Sequence, residues 1–178
     1  MSMTGDFLIT KEFLKELSPC TDGYRWFCET YPDGGTYQEI LYSLCERDRF
    51  DDACWLLNKV GATDDVLEID SIDDKEKNIC FTGTIIASKD LILKNIKAGG
   101  SIEAGWYIKA GGYIKAGESI KAGESIEAGG SIEAGEDYGV YAGIRMRISD
   151  MKERGYIKAH ENPKNLMCGY WEGEGYEG

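Results

Sequence analysis

A six-residue repeat in the middle of this 178-residue chain restricts its fold more than any other feature. From residue 96 to 137 an isoleucine recurs at every sixth position, an alanine follows two residues later, and a glycine follows the alanine. The residue between isoleucine and alanine is always charged, at Lys97, Glu103, Lys109, Lys115, Lys121, Glu127 and Glu133. Because side chains alternate along a strand, each copy predicts a short strand with one apolar face and one wet face.

A β-solenoid is the fold that satisfies this pattern. Each copy is too short to form a hydrophobic unit alone, but stacked coils bury a continuous column of isoleucine and alanine. An amphipathic helix would need apolar spacings of three and four, and the regular glycines would cost it roughly 1 kcal/mol each. We expect the glycines to supply positive φ angles at the corners.

Three faces of six residues give an 18-residue coil, so residues 18 apart stack along the axis. The outward charges are then mostly complementary, with one like-charged pair of Lys97 and Lys115. The complementary pairs are Glu103 with Lys121, Lys109 with Glu127, and Lys115 with Glu133.

The residues on either side of the repeat follow other patterns. Helices are predicted after Thr10, after Thr21, from the capping box that begins at Thr36, and from about Asp51 to Gly61. Residues 63–78 are acidic, with interspersed aliphatic residues, and predict an irregular or short-strand bridge. The repeat breaks at 136–139 and returns at 140–143; strands are predicted at 144–148 and 156–159.

The sequence therefore predicts an α+β protein in which a small N-terminal helical domain precedes a short three-faced β-solenoid, or β-helix. Its expected parts are a helical head or cap (1–62), an acidic bridge (63–78), the solenoid of six-residue repeats (79–160) and a polar C-terminal tail (161–178). A core of about 60 residues is marginal alone, so we expect the head to pack on the first coils. With the tail, it would cover both ends of the solenoid.

Charge defines the expected partner. The chain carries 32 acidic and 20 basic residues, a net charge of −12. Such a chain is repelled by nucleic acid and by membrane surfaces, and is attracted to a host protein or nucleoprotein complex with a basic surface. The alternative is that acidity only maintains solubility. The chain shows no signal peptide and no apolar run of about 18–20 residues, so a cytoplasmic location is expected.

The pattern of potential ligands predicts no metal and no cofactor. The six cysteines form no C-x-x-C pair, His160 is the only histidine, and the acidic segment lacks calcium-loop spacing. Candidate partner-binding residues are exposed aromatics, which often mark interfaces, and acids. They are Trp106, Tyr107, Tyr113, Glu118, Glu124 and Asp137 on the solenoid, and Asp64, Asp65, Asp73 and Asp74 on the bridge. The alternative is that the solenoid candidates are ordinary surface residues without a role in binding.

The Ile-x-Ala-Gly repeats of residues 79–148 resemble those of bactofilins, bacterial cytoskeletal β-helices that lack a helical first domain. The repeats are also similar to those of hexapeptide acyltransferases, left-handed β-helices with a catalytic histidine. The whole layout looks like small proteins of phages and mobile elements, some of which, including anti-CRISPRs, inhibit host defence.

The charge, the repeat architecture and these resemblances lead to three functional hypotheses. The first is a non-enzymatic inhibitor that occupies a basic nucleic-acid-binding surface, in the host cytoplasm if the protein is phage-encoded. The second is a structural or assembly module, with a homodimer as one form. The third is an acyltransferase that uses His160.

Overall fold

A computed structural model describes residues 4–173 as a helical domain followed by a β-solenoid. This is the α+β architecture that the repeat predicts. Residues 174–178 of the expected tail lie outside the described residues.

The helical domain contains four helices and a two-stranded antiparallel ribbon. The helices are α1 (Lys11–Glu16), α2 (Thr21–Thr30), α3 (Tyr37–Glu46) and α4 (Phe50–Val60), and the ribbon strands are β1 (Leu8–Ile9) and β2 (Gly35–Thr36). Thr10 caps α1, and the Glu39 carboxylate closes the capping box by accepting hydrogen bonds from Thr36. The cap of α2 differs from the sequence interpretation: it is Cys20, whose Sγ accepts from the Gly23 N–H, and not Thr21.

Fourteen strands and one short helix, α5 (Met151–Arg154), make up the rest of the described chain. The strands are β3 (Val66–Ile69), β4 (Ile72–Phe81), β5 (Thr84–Ala87), β6 (Leu91–Ala98), β7 (Ile102–Ala104), β8 (Ile108–Ala110), β9 (Ile114–Ala116), β10 (Ile120–Ala122), β11 (Ile126–Ala128), β12 (Ile132–Glu133), β13 (Val140–Tyr141), β14 (Tyr156–Lys158), β15 (Leu166–Cys168) and β16 (Tyr170–Trp171).

Parallel pairing arranges these strands into three faces. Face I stacks β3, β5, β7, β10, β13 and β15. Face II stacks residues 72–74 and 91–93 with β8, β11, β14 and β16, and face III stacks residues 79–81 and 96–98 with β9 and β12. We call the corners between faces edge I–II, edge II–III and edge III–I. With six strands on face I, the chain completes five coils and begins a sixth.

The solenoid core is the predicted column of isoleucine and alanine. In β7 to β11 the first and third residues are buried and the middle residue is partly exposed. All three predicted charge pairs form across neighbouring coils: Lys121–Glu103 at 2.8 Å, Lys109–Glu127 at 2.7 Å and Lys115–Glu133 at 3.1 Å. Each is partly exposed and contributes roughly 0.2–1 kcal/mol, so the apolar column carries most of the stability.

The repeat glycines are required for a reason that the sequence interpretation missed. Among the glycines, positive φ angles occur at Gly34, Gly61, Gly143 and Gly169, none of which lies in the uninterrupted repeat of residues 96–137. At Gly117 a Cβ would instead lie 2.0 Å from the carbonyl oxygen of Gly99 in the preceding coil. Gly105, Gly123, Gly129 and Gly135 are equally crowded, whereas at Gly111 the nearest atom is 3.8 Å away.

The solenoid is longer than predicted at both ends. The acidic segment 63–78, expected to be a bridge, contributes β3 and most of β4, which form the first coil. Part of the expected tail forms β15 and β16, which pair with β13 and β14.

Residues 143–155, between β13 and β14, leave the solenoid at edge I–II. We call them the insertion. The strand predicted for residues 144–148 is wrong, because Gly143 turns the chain outward with φ +77° and a 3₁₀ turn follows at Ile148–Asp150.

The helical domain packs against the outer side of face III, through α3 and α4 on β4. The outward-facing Cys80 of β4 is fully buried in the helical core. Gln38 of α3 acts like a neighbouring strand: its Nε2 donates to the Cys80 carbonyl at 2.9 Å, and its Oε1 accepts from the Thr82 N–H at 2.8 Å. In the next coil the Lys97 ammonium donates to Asn58 Oδ1 at 2.6 Å, which extends the contact.

Candidate interaction surface

The free end of the first coil combines unpaired strand edges, apolar side chains and a high density of carboxylates. We call residues 64–77 of this coil the acidic end. They include seven acids and two lysines, Lys75 and Lys77, and therefore carry a net charge of −5. The first coil distributes these charges over faces I and II.

The backbone at the acidic end has room for a partner. Within residues 4–173, β3 pairs only with β5, and residues 72–74 pair only with 91–93, so one side of each has no neighbouring strand. On face III of the first coil, the side chain of Gln38 takes the place of a neighbouring strand. Exposed strand edges of this kind are templates for a further chain.

Apolar side chains form the floor of the acidic end. Leu67, Ile69 and Ile72 continue the inward column but are only half buried, because no coil lies beyond them. A cavity of about 530 Å³ separates them from Tyr42 and Glu46 of α3. The helical domain therefore borders this end of the solenoid without closing it.

The carboxylates of the acidic end differ in the hydrogen bonds and ion pairs that they form within the protein. Asp65 is structural, since its Oδ2 accepts from Thr63 Oγ1 at 2.9 Å and also from the Gly5 N–H. Asp70 pairs with Lys89 of the next coil at 2.8 Å. Glu68, Asp73 and Glu76 are exposed, and their carboxylates form no ion pair within the described part of the chain.

Asp74 holds an unusual position. Its register partner is Leu93, which is buried, so Asp74 lies at an inward-facing site of the first coil. There it remains exposed only because the solenoid ends, and its Oδ1 accepts from the Glu76 N–H at 3.1 Å. A second solenoid stacked on this end would bury the carboxylate in an apolar column, which is costly. An inward charge is a common means of preventing such stacking.

The aromatic candidates of the solenoid lie on two different edges. Trp106 is 50 % exposed at edge I–II, beside Tyr107. Tyr113 is 44 % exposed at edge II–III, where the Lys115 ammonium lies 5.0 Å from its ring centre. The structure therefore does not unite the three aromatics in one patch.

Glu124 is an internal partner of the insertion. Its carboxylate pairs with the Arg154 guanidinium of α5, and its side chain is mostly buried. A hydrogen bond to Glu124 is the main cause that raises the pKa of Tyr107. Glu118 and Asp137 lie at edge III–I, where Glu118 accepts from Ser101 Oγ at 3.0 Å.

The sequence prediction included Asp73 and Asp74 but missed Glu68, Asp70, Glu76 and the apolar floor. One signal was available. Leu67 precedes Ile85 by 18 residues, and Val66 to Ile69 alternate as in a repeat strand. Extending the coil period backwards would have placed the acidic segment on the solenoid.

The potential metal ligands, the thiols and the helices of residues 4–173 complete the description of this region. No group of three or more His, Cys, Asp or Glu side chains is positioned to hold a metal ion. All six cysteines are free thiols, and burial raises the pKa of Cys45 to about 12. No helix of this region combines the length and hydrophobicity needed to cross a membrane.

The fold and this surface together define a helical domain joined to a three-sided β-solenoid with an acidic end. A family model described as the YdhT N-terminal domain matches residues 1–63, which is the helical part and about a third of the chain. No curated protein and no solved structure matches. The match gives no information about the solenoid or about a phage origin.

Proposed function

We propose that the protein is a non-enzymatic interaction protein whose acidic end binds a basic surface of a partner protein and competes there with nucleic acid. The observation that supports the proposal best is that Glu68, Asp73 and Glu76 are exposed and without ion pairs in residues 4–173, on the same coil whose free end leaves Leu67, Ile69 and Ile72 only half buried. Basic protein surfaces that hold nucleic acid attract such a charge pattern. The narrower form of the proposal is a phage-encoded inhibitor of host defence of the anti-CRISPR kind.

Charge reversal at two matched sites tests where the partner binds. The first variant reverses Glu68, Asp73 and Glu76 to lysine, and leaves Asp65 intact because it holds the fold. The control reverses Glu118, Glu136 and Asp137 at edge III–I, which changes the net charge equally. We expect the first variant to lose binding and the control to retain most of it.

The partner is to be captured from a host lysate and purified, and its binding to labelled nucleic acid is then measured by filter binding with increasing amounts of this protein. We expect displacement that weakens as salt rises, because the screening length is about 10 Å at 0.1 M. Tight direct binding of this protein to duplex DNA at physiological salt would contradict the proposal. So would equal loss of binding in both charge-reversal variants, since net charge alone would then explain it.

A structural or assembly module is the second candidate, supported by the unpaired edges of β3 and of residues 72–74. Asp74 opposes it, because stacking would bury its carboxylate. Electron microscopy of the wild-type protein separates the two, since filaments in which the solenoids stack end to end, without any partner, would favour assembly. An acyltransferase would depend on His160, which is exposed at edge II–III beside Gly130, and an acetyl-CoA turnover assay of His160→Ala tests it.

A further inference from the structure

The helical domain contains a second, smaller cavity, of about 230 Å³, between its four helices. Buried apolar side chains, among them Leu14, Phe27 and Leu56, line its inner part. Trp26 and Trp55 are partly exposed walls, and the exposed residues Cys20 and Asp51 lie at the mouth. We call it the helical pocket.

Size and charge define what fits the helical pocket. Small-molecule sites usually occupy about 300–1,000 Å³, so this cavity suits one large aliphatic or aromatic side chain. The nearby Asp52 is neutralised by Arg49 at 2.6 Å, whereas Asp51 forms no ion pair within residues 4–173. An apolar side chain flanked by a cation would therefore match both the lining and the mouth.

The insertion carries such a side chain. Ile148 is 93 % exposed, the highest exposure among the large hydrophobic residues of the described chain. Arg145 and Arg147 are exposed beside it and take part in no ion pair in that region. The insertion is therefore a cationic segment with an exposed aliphatic side chain, in a protein whose net charge is −12.

Ile148 cannot enter the helical pocket of its own chain. The helical domain lies on the outer side of face III, whereas the insertion leaves edge I–II, the corner of the three-sided coil opposite that face. The body of the solenoid therefore lies between the two features. A second molecule is required to bring them together.

We propose that Ile148 of one copy inserts into the helical pocket of a second copy, with Arg147 pairing with Asp51. The proposal is independent of the partner proposed above. Ile148 and the helical pocket are different surfaces. If two copies make the contact reciprocally, the interface is isologous and closes into a dimer; if they do not, it is heterologous and extends into a ring or a chain. At about 0.15 M salt the screening length is about 8 Å, which limits repulsion between the acidic molecules.

Sedimentation velocity of the full-length protein tests the proposal. We expect mass to increase between low and high micromolar concentration, and Ile148→Asp to weaken association at least about tenfold. Because Ile148 is exposed, this variant retains the fold. Met167→Asp is the matched control, since Met167 is 66 % exposed on the last coils and should not matter. Asp51→Arg should weaken association, and Arg147→Asp in the same chain should restore it.

Disulfide trapping locates the contact. Cys20 lies at the mouth of the helical pocket, so mild oxidation of Ile148→Cys should join the new thiol to Cys20 of a second copy. Met167→Cys should not form this link. A wild-type protein that remains monomeric at high micromolar concentration would overturn the proposal. Unchanged association of Ile148→Asp, or a disulfide that maps to another cysteine, would also overturn it.

Discussion

Gln38→Ala tests whether a side chain replaces a strand where the helical domain meets the solenoid. The substitution removes the donor to the Cys80 carbonyl and the acceptor of the Thr82 N–H. Cys80 and Thr82 are fully buried, so both backbone groups lose their partners in a dry environment. Each unsatisfied group costs about 1–3 kcal/mol. Gln38 is only half buried and water can enter behind it, so we expect a total of about 2–4 kcal/mol.

Thermal unfolding followed by circular dichroism measures this cost. For a chain of this size about 1 kcal/mol corresponds to roughly 2–4 °C, so the melting temperature should fall by roughly 4–16 °C. Lys121→Ala is the control: it removes only the partly exposed pair with Glu103 and should change stability by less than about 0.5 kcal/mol. If Gln38→Ala melts together with Lys121→Ala, the side chain does not carry the junction and the reasoning fails.

Three further predictions concern the buried isoleucine column, the contact between the helical domain and the solenoid, and the free end of the first coil. Ile120→Asp places an unpaired charge at a fully buried site and should cost several kcal/mol; a native spectrum with an unchanged melting temperature would refute the assignment. Asp48 of the helical domain accepts a hydrogen bond from Lys94 of β6 at 2.6 Å, and this bond is the main cause that lowers the Asp48 pKa. The stability that this contact contributes is therefore present above about pH 3.9 and is lost as the pH falls through the lowered pKa. Asp48→Asn should therefore melt below wild type at pH 7, and the difference should disappear in acid; a difference that persists at pH 2 would contradict this linkage. Asp74→Leu should make the first coil associate end to end, and light scattering that shows no larger species than wild type would contradict its guarding role.

The sequence predicted the centre of the solenoid well because one residue type marks each inward position. Ile102, Ile120 and Ile126 stack with their neighbours at the expected 18-residue spacing. The ends could not be found in the same way. In the last coil, strand positions are held by Leu166 and Tyr170, which stack by register but do not repeat the motif.

The insertion, the burial of Cys80 and the pairing of the carboxylates could be predicted only in part, because they depend on contacts between residues that are distant in sequence. Alternation of Ile144, Met146 and Ile148 resembles a strand, but after the turn at Gly143 Ile144 and Ile148 are exposed and only Met146 is partly buried. The burial of Cys80 depends on α3 and α4, which are 20 or more residues away in sequence, and no local pattern predicts such a contact. Which carboxylates are free also depends on partners in neighbouring coils, as with Glu124 and Arg154.

The stacking register makes the coil a unit of length as well as of stability. Ile102, Ile120 and their charged neighbours repeat so regularly that removing 18 residues, for example 102–119, would join equivalent positions and leave every face in phase. Each coil gained or lost would move the insertion relative to the helical domain by about 4.8 Å along the solenoid axis. The number of coils thus sets the distance between the two ends of the solenoid. Duplication or deletion of whole coils would change that distance while the surfaces of the two ends stay the same.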